Sequence, residues 1–288
     1  MSRVLVTGAG GFIGRHVVPL LTEAGHEVHA GKGDLLDPSV AGELIESTRP
    51  THLLHLAWYT EHGLFWEAPE NLPWVEASLR LWRAFASSDG AERFVGVGSC
   101  AEYEWSEPVL SESSTPLRPA SLYGVCKDAT RRALEAASER ADISFAWGRV
   151  FFIYGPDEAS GRLVPSVADA LAEGRPARTS DGEQVRDFLH IDDAARAMAA
   201  LVESDVRGAV NIGSGEGVAV REIVEALGRL AGRPELIELG AVPRPEGDPP
   251  EIVADASRLR DEVGWAPQIG LEQGLASTLA SAGLPAGR

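Results

Sequence analysis

Residues 3–37 read RVLVTGAGGFIGRHVVPLLTEAGHEVHAGKGDLLD, and their pattern decides the fold. The apolar run Val4 to Val6 predicts a strand. A glycine turn follows, then a helix from about Phe12 to Glu23 and a second strand around Val28, which together make a β-α-β unit. Gly8, Gly11 and Gly14 are spaced G-x-x-G-x-x-G, with Gly10 added, one position away from the strict G-x-G-x-x-G pattern. Glycines between a strand and a helix let backbone amides and the positive helix end approach a pyrophosphate closely, so this turn predicts dinucleotide binding. At the end of the second strand, VHAGKGD offers His29 and Lys32 where NAD-binding folds usually place a carboxylate. A cation there suits a 2′-phosphate, which favours NADP and leaves NAD as the alternative. In the competing reading Lys32 is a solvated loop charge and Asp34 serves the adenine or ribose. The chain then passes at once into GDLLD, with no room for a helix between the second and third strands.

Further strands are expected in THLLHLAW (51–58, the fourth), RFVGVGSC (93–100), ISFAWGRVFFIYGP (143–156, the sixth) and AVNIGS (209–214), with helices near Val75 to Ala86 and from about Ser121. Alternating strands and helices predict an α/β fold with a Rossmann-like doubly wound parallel sheet. From Tyr154 onward helices and Pro/Gly loops without strong strand alternation predict a smaller C-terminal substrate-binding lobe. Residues 1–153 form the expected NAD(P)-binding domain, joined by 187–213. Residues 154–186 and 214–288 form the lobe, and the tail SAGLPAGR (281–288) is expected to fray.

Composition narrows the class of partner. A formal charge of −17 on 288 residues disfavours a nucleic acid polymer or an anionic membrane surface, since both attract clustered positive charge. No apolar stretch approaches the roughly 18 residues of a spanning helix, so a cytoplasmic protein is expected. Cys100 and Cys126 lack metal-type spacing and are too few for a disulfide framework; they read as small buried thiols, and no metal site is expected. Asp192 and Asp193 read as a helix N-terminus, and His55 as a hydrogen-bonded core histidine.

Only two residues are lysines, Lys32 and Lys127, against 26 basic residues in all. In SLYGVCK (121–127) one of them lies four residues after Tyr123, which places both on one helix face. Reducing a ketone with a nicotinamide needs an acid to protonate the carbonyl oxygen and donors to hold it. A phenol, with a reference pKa of about 10, needs a nearby cation to take the reverse role at neutral pH. Lys127 provides a compact ammonium one helical turn away, and Ser99, closing FVGVGS, is the third candidate.

With the glycine turn, HLA (55–57), GSCAEY (98–103) and SLYGVCK in this order, the chain resembles the extended short-chain dehydrogenase/reductases, the NAD(P)-dependent epimerase/dehydratase family. RDFLHIDDAARA (186–197), VNIGSGE (210–216) and DEVGWAP (261–267) extend the resemblance across the chain. It implies Ser99, Tyr123 and Lys127 as a catalytic triad. It also implies Gly8, Gly11 and Gly14 at the pyrophosphate with Phe12 and Ile13 beside them, Asp34 and Leu35 at adenine, and Leu56 and Ala57 along the cofactor. On the substrate side it implies Arg186 and Arg244 for a nucleotide-sugar diphosphate; Trp58, which directly follows the cofactor-contacting strand, Phe152 and Arg162 are further substrate-side candidates, and the resemblance implies a homodimer. Phe152 and Trp74 replace asparagines usual in the family, and Arg244 is displaced by one residue from the usual arginine. Cys100 and Ala101 stand where sugar 4,6-dehydratases carry an Asp-Glu pair, which speaks against dehydration. Reduction of a nucleotide-activated 4-keto-6-deoxyhexose is the expectation, with a nucleotide-sugar 4-epimerase as the alternative and a non-catalytic dinucleotide sensor behind both.

Overall fold

Val4, Leu5 and Val6 are each fully buried, which demands a strand covered on both faces. The computed structural model, described over residues 1–284, places them on β1 (Arg3–Thr7) inside such a sheet. The first half continues with α1 (Gly14–Glu23), β2 (Glu27–Ala30), α2 (Val40–Thr48), β3 (His52–His55), α3 (Asn71–Ala86), β4 (Arg93–Ser99), β5 (Val109–Leu110), α4 (Leu122–Ala141), β6 (Ser144–Val150) and β7 (Phe152–Tyr154). The second half holds α5 (Leu163–Ala172), β8 (Ala177–Arg178), β9 (Val185–His190), α6 (Ile191–Glu203), β10 (Gly208–Ile212) and β11 (Gly217–Ala219). It closes with α7 (Val220–Leu230), β12 (Ile237–Glu238), β13 (Glu251–Ala254), α8 (Ser257–Asp261) and α9 (Leu271–Ser281).

Six strands form one parallel sheet in the order β10-β6-β4-β3-β1-β2. Alternation along β1 feeds two cores: Val4 and Val6 join Val17, Leu21 and Met198 of α1 and α6, while Leu5 joins Ile45, Leu81 and Leu134 of α2, α3 and α4. The chain leaves β1 toward β2 on one side and returns to β3 on the other. That reversal opens a crevice at the carboxyl ends of β1 and β3, where doubly wound sheets bind ligands. A third core, with Val164, Leu171, Ile223, Leu227, Leu275 and Leu279, unites α5, α7 and α9.

Three expectations are corrected. Residues 34–37 form no strand: Asp34 Oδ1 accepts from Leu36 N and Asp37 Oδ1 from Ser39 N, and these side chains stabilise turns in place of a ladder. Residues 52–55 are therefore the third strand of the chain, and α2 lies between the second and the third. The stretch 143–156 does not continue as one strand. Phe151 N donates to Ile212 O at the break, and β7 pairs with β9 in a second sheet. The region after Tyr154 also carries strands, with β9 flanked by β11 and β13, and β13 paired to β5. Residues 285–288 of the expected frayed tail lie outside the described residues; Ser281 ends α9.

Candidate active site

Close approach explains the glycines of the first turn. Gly8 has φ of +69°, and a Cβ there would lie 2.7 Å from the Ala57 backbone nitrogen; one at Gly14 would lie 2.2 Å from the Gly8 carbonyl oxygen. Neither position admits a side chain. Gly11 N donates to Gly8 O at 2.9 Å and closes the turn. Phe12 and Ile13 lead into α1, whose first turn contains no acidic residue, so its positive end is free to face an anion. Beside it lies a cavity of about 190 Å³ lined by Thr7, Gly8, Ala57, Asp34 and Leu35, with Trp74 at its wall. Leu56 runs alongside, its amide donating to Thr7 O. Gly31 and Gly33 line the cavity too, but Lys32 between them is exposed at its rim. These residues fit a dinucleotide: a glycine-rich turn and an uncompensated helix end meet a crevice at the sheet's switch point.

Ser99, Tyr123 and Lys127 come together from two elements. Ser99 ends β4, where its hydroxyl caps the short turn Cys100–Glu102 by accepting from Ala101 N. Ser121 caps α4 by accepting from Gly124 N, which starts the helix so that Tyr123 and Lys127 fall on its buried face. Gly124 is required there, since a Cβ would lie 2.3 Å from Ala101 O. Burial pushes the Tyr123 phenol well above its usual range, while the neighbouring Ser99 hydroxyl pulls it back. Burial also lowers Lys127, to about 7, against a raising influence from Glu102. The Lys127 ammonium donates to Val97 O at 3.0 Å and sits 3.9 Å from the centroid of the Trp58 ring.

Behind these three residues lies a network centred on Glu102. Glu102 is fully buried and accepts from Ser99 N (2.9 Å), Trp147 Nε1 (2.8 Å) and Arg149 Nε (2.7 Å). Its oxygens are thereby committed to holding β4, β6 and the Ser99 turn together. Arg149 also donates to Tyr103 Oη, which donates to Asn211 Oδ1. His55 bridges Thr7 and Ser78, and burial lowers it to about 3, so it is neutral at physiological pH. The Cys100 thiol is raised by burial to about 12, too weak an acid to supply a thiolate base. Asp192 and Asp193 occupy the first turn of α6, and Asp193 Oδ2 accepts from Gln268 N and Ile269 N.

Aromatic rings pack against the phenol ring. Phe65 and Trp66 meet the Tyr123 ring edge-on at 4.8 and 5.9 Å, and Tyr123 N donates to Trp66 O. Trp58 is held by a bond from its Nε1 to Asn71 Oδ1, and Asn71, fully buried, donates onward to Phe65 O and Ala68 O. Phe152 lies under the Arg186 guanidinium, 5.6 Å away. Arg186 is buried and pairs with Asp248 at 2.5 Å; Arg244 pairs with Asp181 at 3.0 Å. Arg162 lies 3.9 Å from Glu158 and 5.8 Å from the Phe65 ring. All three arginines expected on the substrate side are thus partnered by carboxylates. The sequence did not single out Asn71, Phe65 or Glu158, and Trp66 read there as a core residue. Glu158, raised by burial to about 7, has an Oε2 without a hydrogen-bond partner. Among the described residues no cluster of His, Cys, Asp or Glu could hold a metal ion, and no helix is long and apolar enough to cross a membrane.

The sequence and fold are shared widely. The chain is 27% identical to the UDP-glucose 4-epimerase of Azospirillum brasilense over 99% of its own length and 96% of that protein. Its structure superposes on the UDP-glucose 4-epimerase of Thermus thermophilus in complex with NAD with a TM-score of 0.85 at 28% identity, over 97% and 98% of the two chains. MoeE5 in complex with UDP-glucuronic acid and NAD gives 0.83 at 31% identity, with the same coverage. The sequence profile of the NAD dependent epimerase/dehydratase family matches residues 4–213, and the chain belongs to that family.

Proposed function

We propose that the protein reduces the keto group of a nucleotide-activated 4-keto-6-deoxyhexose with a nicotinamide dinucleotide. The observation that carries this reading is the meeting of Ser99, Tyr123 and Lys127 beside the dinucleotide crevice, with the phenol's flank walled by Phe65 and Trp66. A bound nicotinamide would supply the hydride to the carbonyl carbon. Tyr123 gives its phenolic proton to the carbonyl oxygen, Ser99 holds that oxygen, and Lys127 stabilises the phenolate until solvent restores the proton. The balance is ketone, reduced dinucleotide and one proton giving alcohol and oxidised dinucleotide. An apolar wall suits the deoxygenated edge of such a sugar, which has a methyl group in place of a hydroxymethyl. The α5, α7 and α9 lobe, with the arginines at its border, takes the nucleotide; Asp248 and Asp181 yield Arg186 and Arg244 to the diphosphate.

NADPH is our reading for the reductant. Lys32 is exposed at the cavity rim between two lining glycines, and the Asp34 carboxylate beside it already accepts from Leu36 N. Leu72 and Leu79 on α3 and Val125 on α4 are exposed apolar side chains, and we read this face as the homodimer contact.

The 4-epimerase reading draws support from the epimerases that the chain resembles over nearly its full length. An epimerase must return its hydride to the opposite face, so the keto intermediate has to turn over inside the site. The aromatic wall against Tyr123 favours a single orientation instead. Stoichiometric oxidation of NADPH by a 4-keto-6-deoxy nucleotide sugar tests the choice: consumption supports the reductase, and interconversion of nucleotide sugars without added dinucleotide supports the epimerase.

A further inference from the structure

We propose that Trp58 is a positioning residue that favours the charged form of Lys127 in a dry site through a cation–π contact. The inference rests on the catalytic reading of Lys127 given above. Lys127 is 2% exposed, and its ammonium has three protons to place. One goes to Val97 O at 3.0 Å, and one faces the Trp58 ring, whose centroid is 3.9 Å away. The third is left for the phenol, whose ring centroid is 5.9 Å away, or for a ligand.

No salt bridge to Lys127 forms among the described residues, so burial of its charge has to be offset otherwise. The groups around it are few. Glu102 from the turn after β4 acts on it at a distance, but its oxygens are taken by Arg149, Trp147 and Ser99. His55 from β3 is neutral, and Trp147 from β6 presents its ring at 6.0 Å. On the ammonium's own helix, Asp128 and Arg131 pair with each other. A carboxylate in contact would hold the ammonium with a strong acceptor and compete with the third proton's partner. An indole face stabilises the charge without doing so. The indole is fixed in turn: its Nε1 donates to Asn71 Oδ1 at 2.9 Å, and Asn71 is anchored to Phe65 O and Ala68 O.

The sequence offers an unusually direct test, because Lys32 and Lys127 are its only lysines. In protein labelled with ¹³Cε-lysine, NMR yields two signals, an exposed one for Lys32 and a buried one for Lys127, the latter with its ε protons moved upfield by the indole ring current. Trp58→Phe and Trp58→Leu both remove the bond to Asn71, but only the first keeps an aromatic face. The Lys127 midpoint of the free protein is expected to fall by about 0.5 to 1.5 pH units in Trp58→Leu, and by less in Trp58→Phe. The ring-current shift should shrink strongly only in the leucine variant, to what the more distant Tyr123 and Trp147 rings supply. The alkaline limb of kcat/KM should move down in the same order. If Trp58→Leu does not fold, Trp58→Met takes its place; a Lys127 midpoint in the aliphatic variant equal to that of the parent overturns the proposal, as does one equal to that of a Trp58→Phe protein whose midpoint has fallen. Absence of dinucleotide-dependent turnover together with the expected lysine shifts would sink the reductase reading and leave the contact standing.

Discussion

Replacing Glu102 by leucine removes the acceptor on which three buried donors converge. Arg149, 1% exposed, keeps only Tyr103 Oη as a hydrogen-bond partner, and Trp147 Nε1 and Ser99 N keep none. Breaking a buried ion pair by removing one partner costs about 3–5 kcal/mol. Each stranded neutral donor adds about 1–3 kcal/mol, part of which relaxation recovers. A loss on the order of 5 kcal/mol is expected, against a total stability of roughly 5–15 kcal/mol for a folded domain. Combining Glu102→Leu with Arg149→Met removes the stranded charge and leaves only the indole and the amide unpaired. The double variant should therefore lose about 2 kcal/mol, less than Glu102→Leu alone. Urea unfolding followed by both circular dichroism and tryptophan fluorescence measures this, provided the two transitions coincide. A Glu102→Leu cost below about 1 kcal/mol, or a double variant as unstable as the sum of the singles, would refute the reasoning.

Tyr123→Phe should lower turnover by about 10²- to 10⁴-fold, the usual weight of a positioned general acid, with the urea midpoint unchanged. Gly14→Ala should abolish dinucleotide binding, checked by isothermal titration, because the new methyl would lie 2.2 Å from Gly8 O. Lys32→Ala should raise KM for NADPH about tenfold, the equivalent of roughly 1.4 kcal/mol, and leave KM for NADH unchanged. The free protein should grow more stable as pH rises from 7 to 9. Lys127 releases its proton at about 7 when folded and near 10.4 when unfolded, so in this window the unfolded chain binds the extra proton. The effect amounts to about 2–3 kcal/mol, and Lys127→Met should flatten the slope in urea midpoints. Above that window the thiols, raised by burial, act in the opposite sense.

What was legible in the sequence is what local chemistry dictates. The glycine turn, the Tyr123–Lys127 spacing and the strand run at Val4 to Val6 each declare themselves within a few residues, and all three lead to the parallel sheet and its crevice. The misreadings arise where distant partners decide. Residues 34–37 look like a continuation of the sheet, but their aspartates turn the chain by bonding their own backbone. β9 and β13 are short strands that exist through pairing across 66 residues, and no alternation announces them. Glu102 became a structural anchor because Arg149 lies 47 residues on, and the carboxylates on Arg186 and Arg244 come from 62 and 63 residues away. Asn71 gains its role only once Trp58 folds against it.

Transfer of label from NADPH to sugar tests the central claim most directly. Reduction of a 4-keto-6-deoxy nucleotide sugar with NADPH carrying deuterium at the transferable C4 position should place one deuterium at the sugar C4, read by proton NMR, and Tyr123→Phe should suppress the transfer. A product formed at full rate without deuterium, or full transfer by Tyr123→Phe, would contradict it.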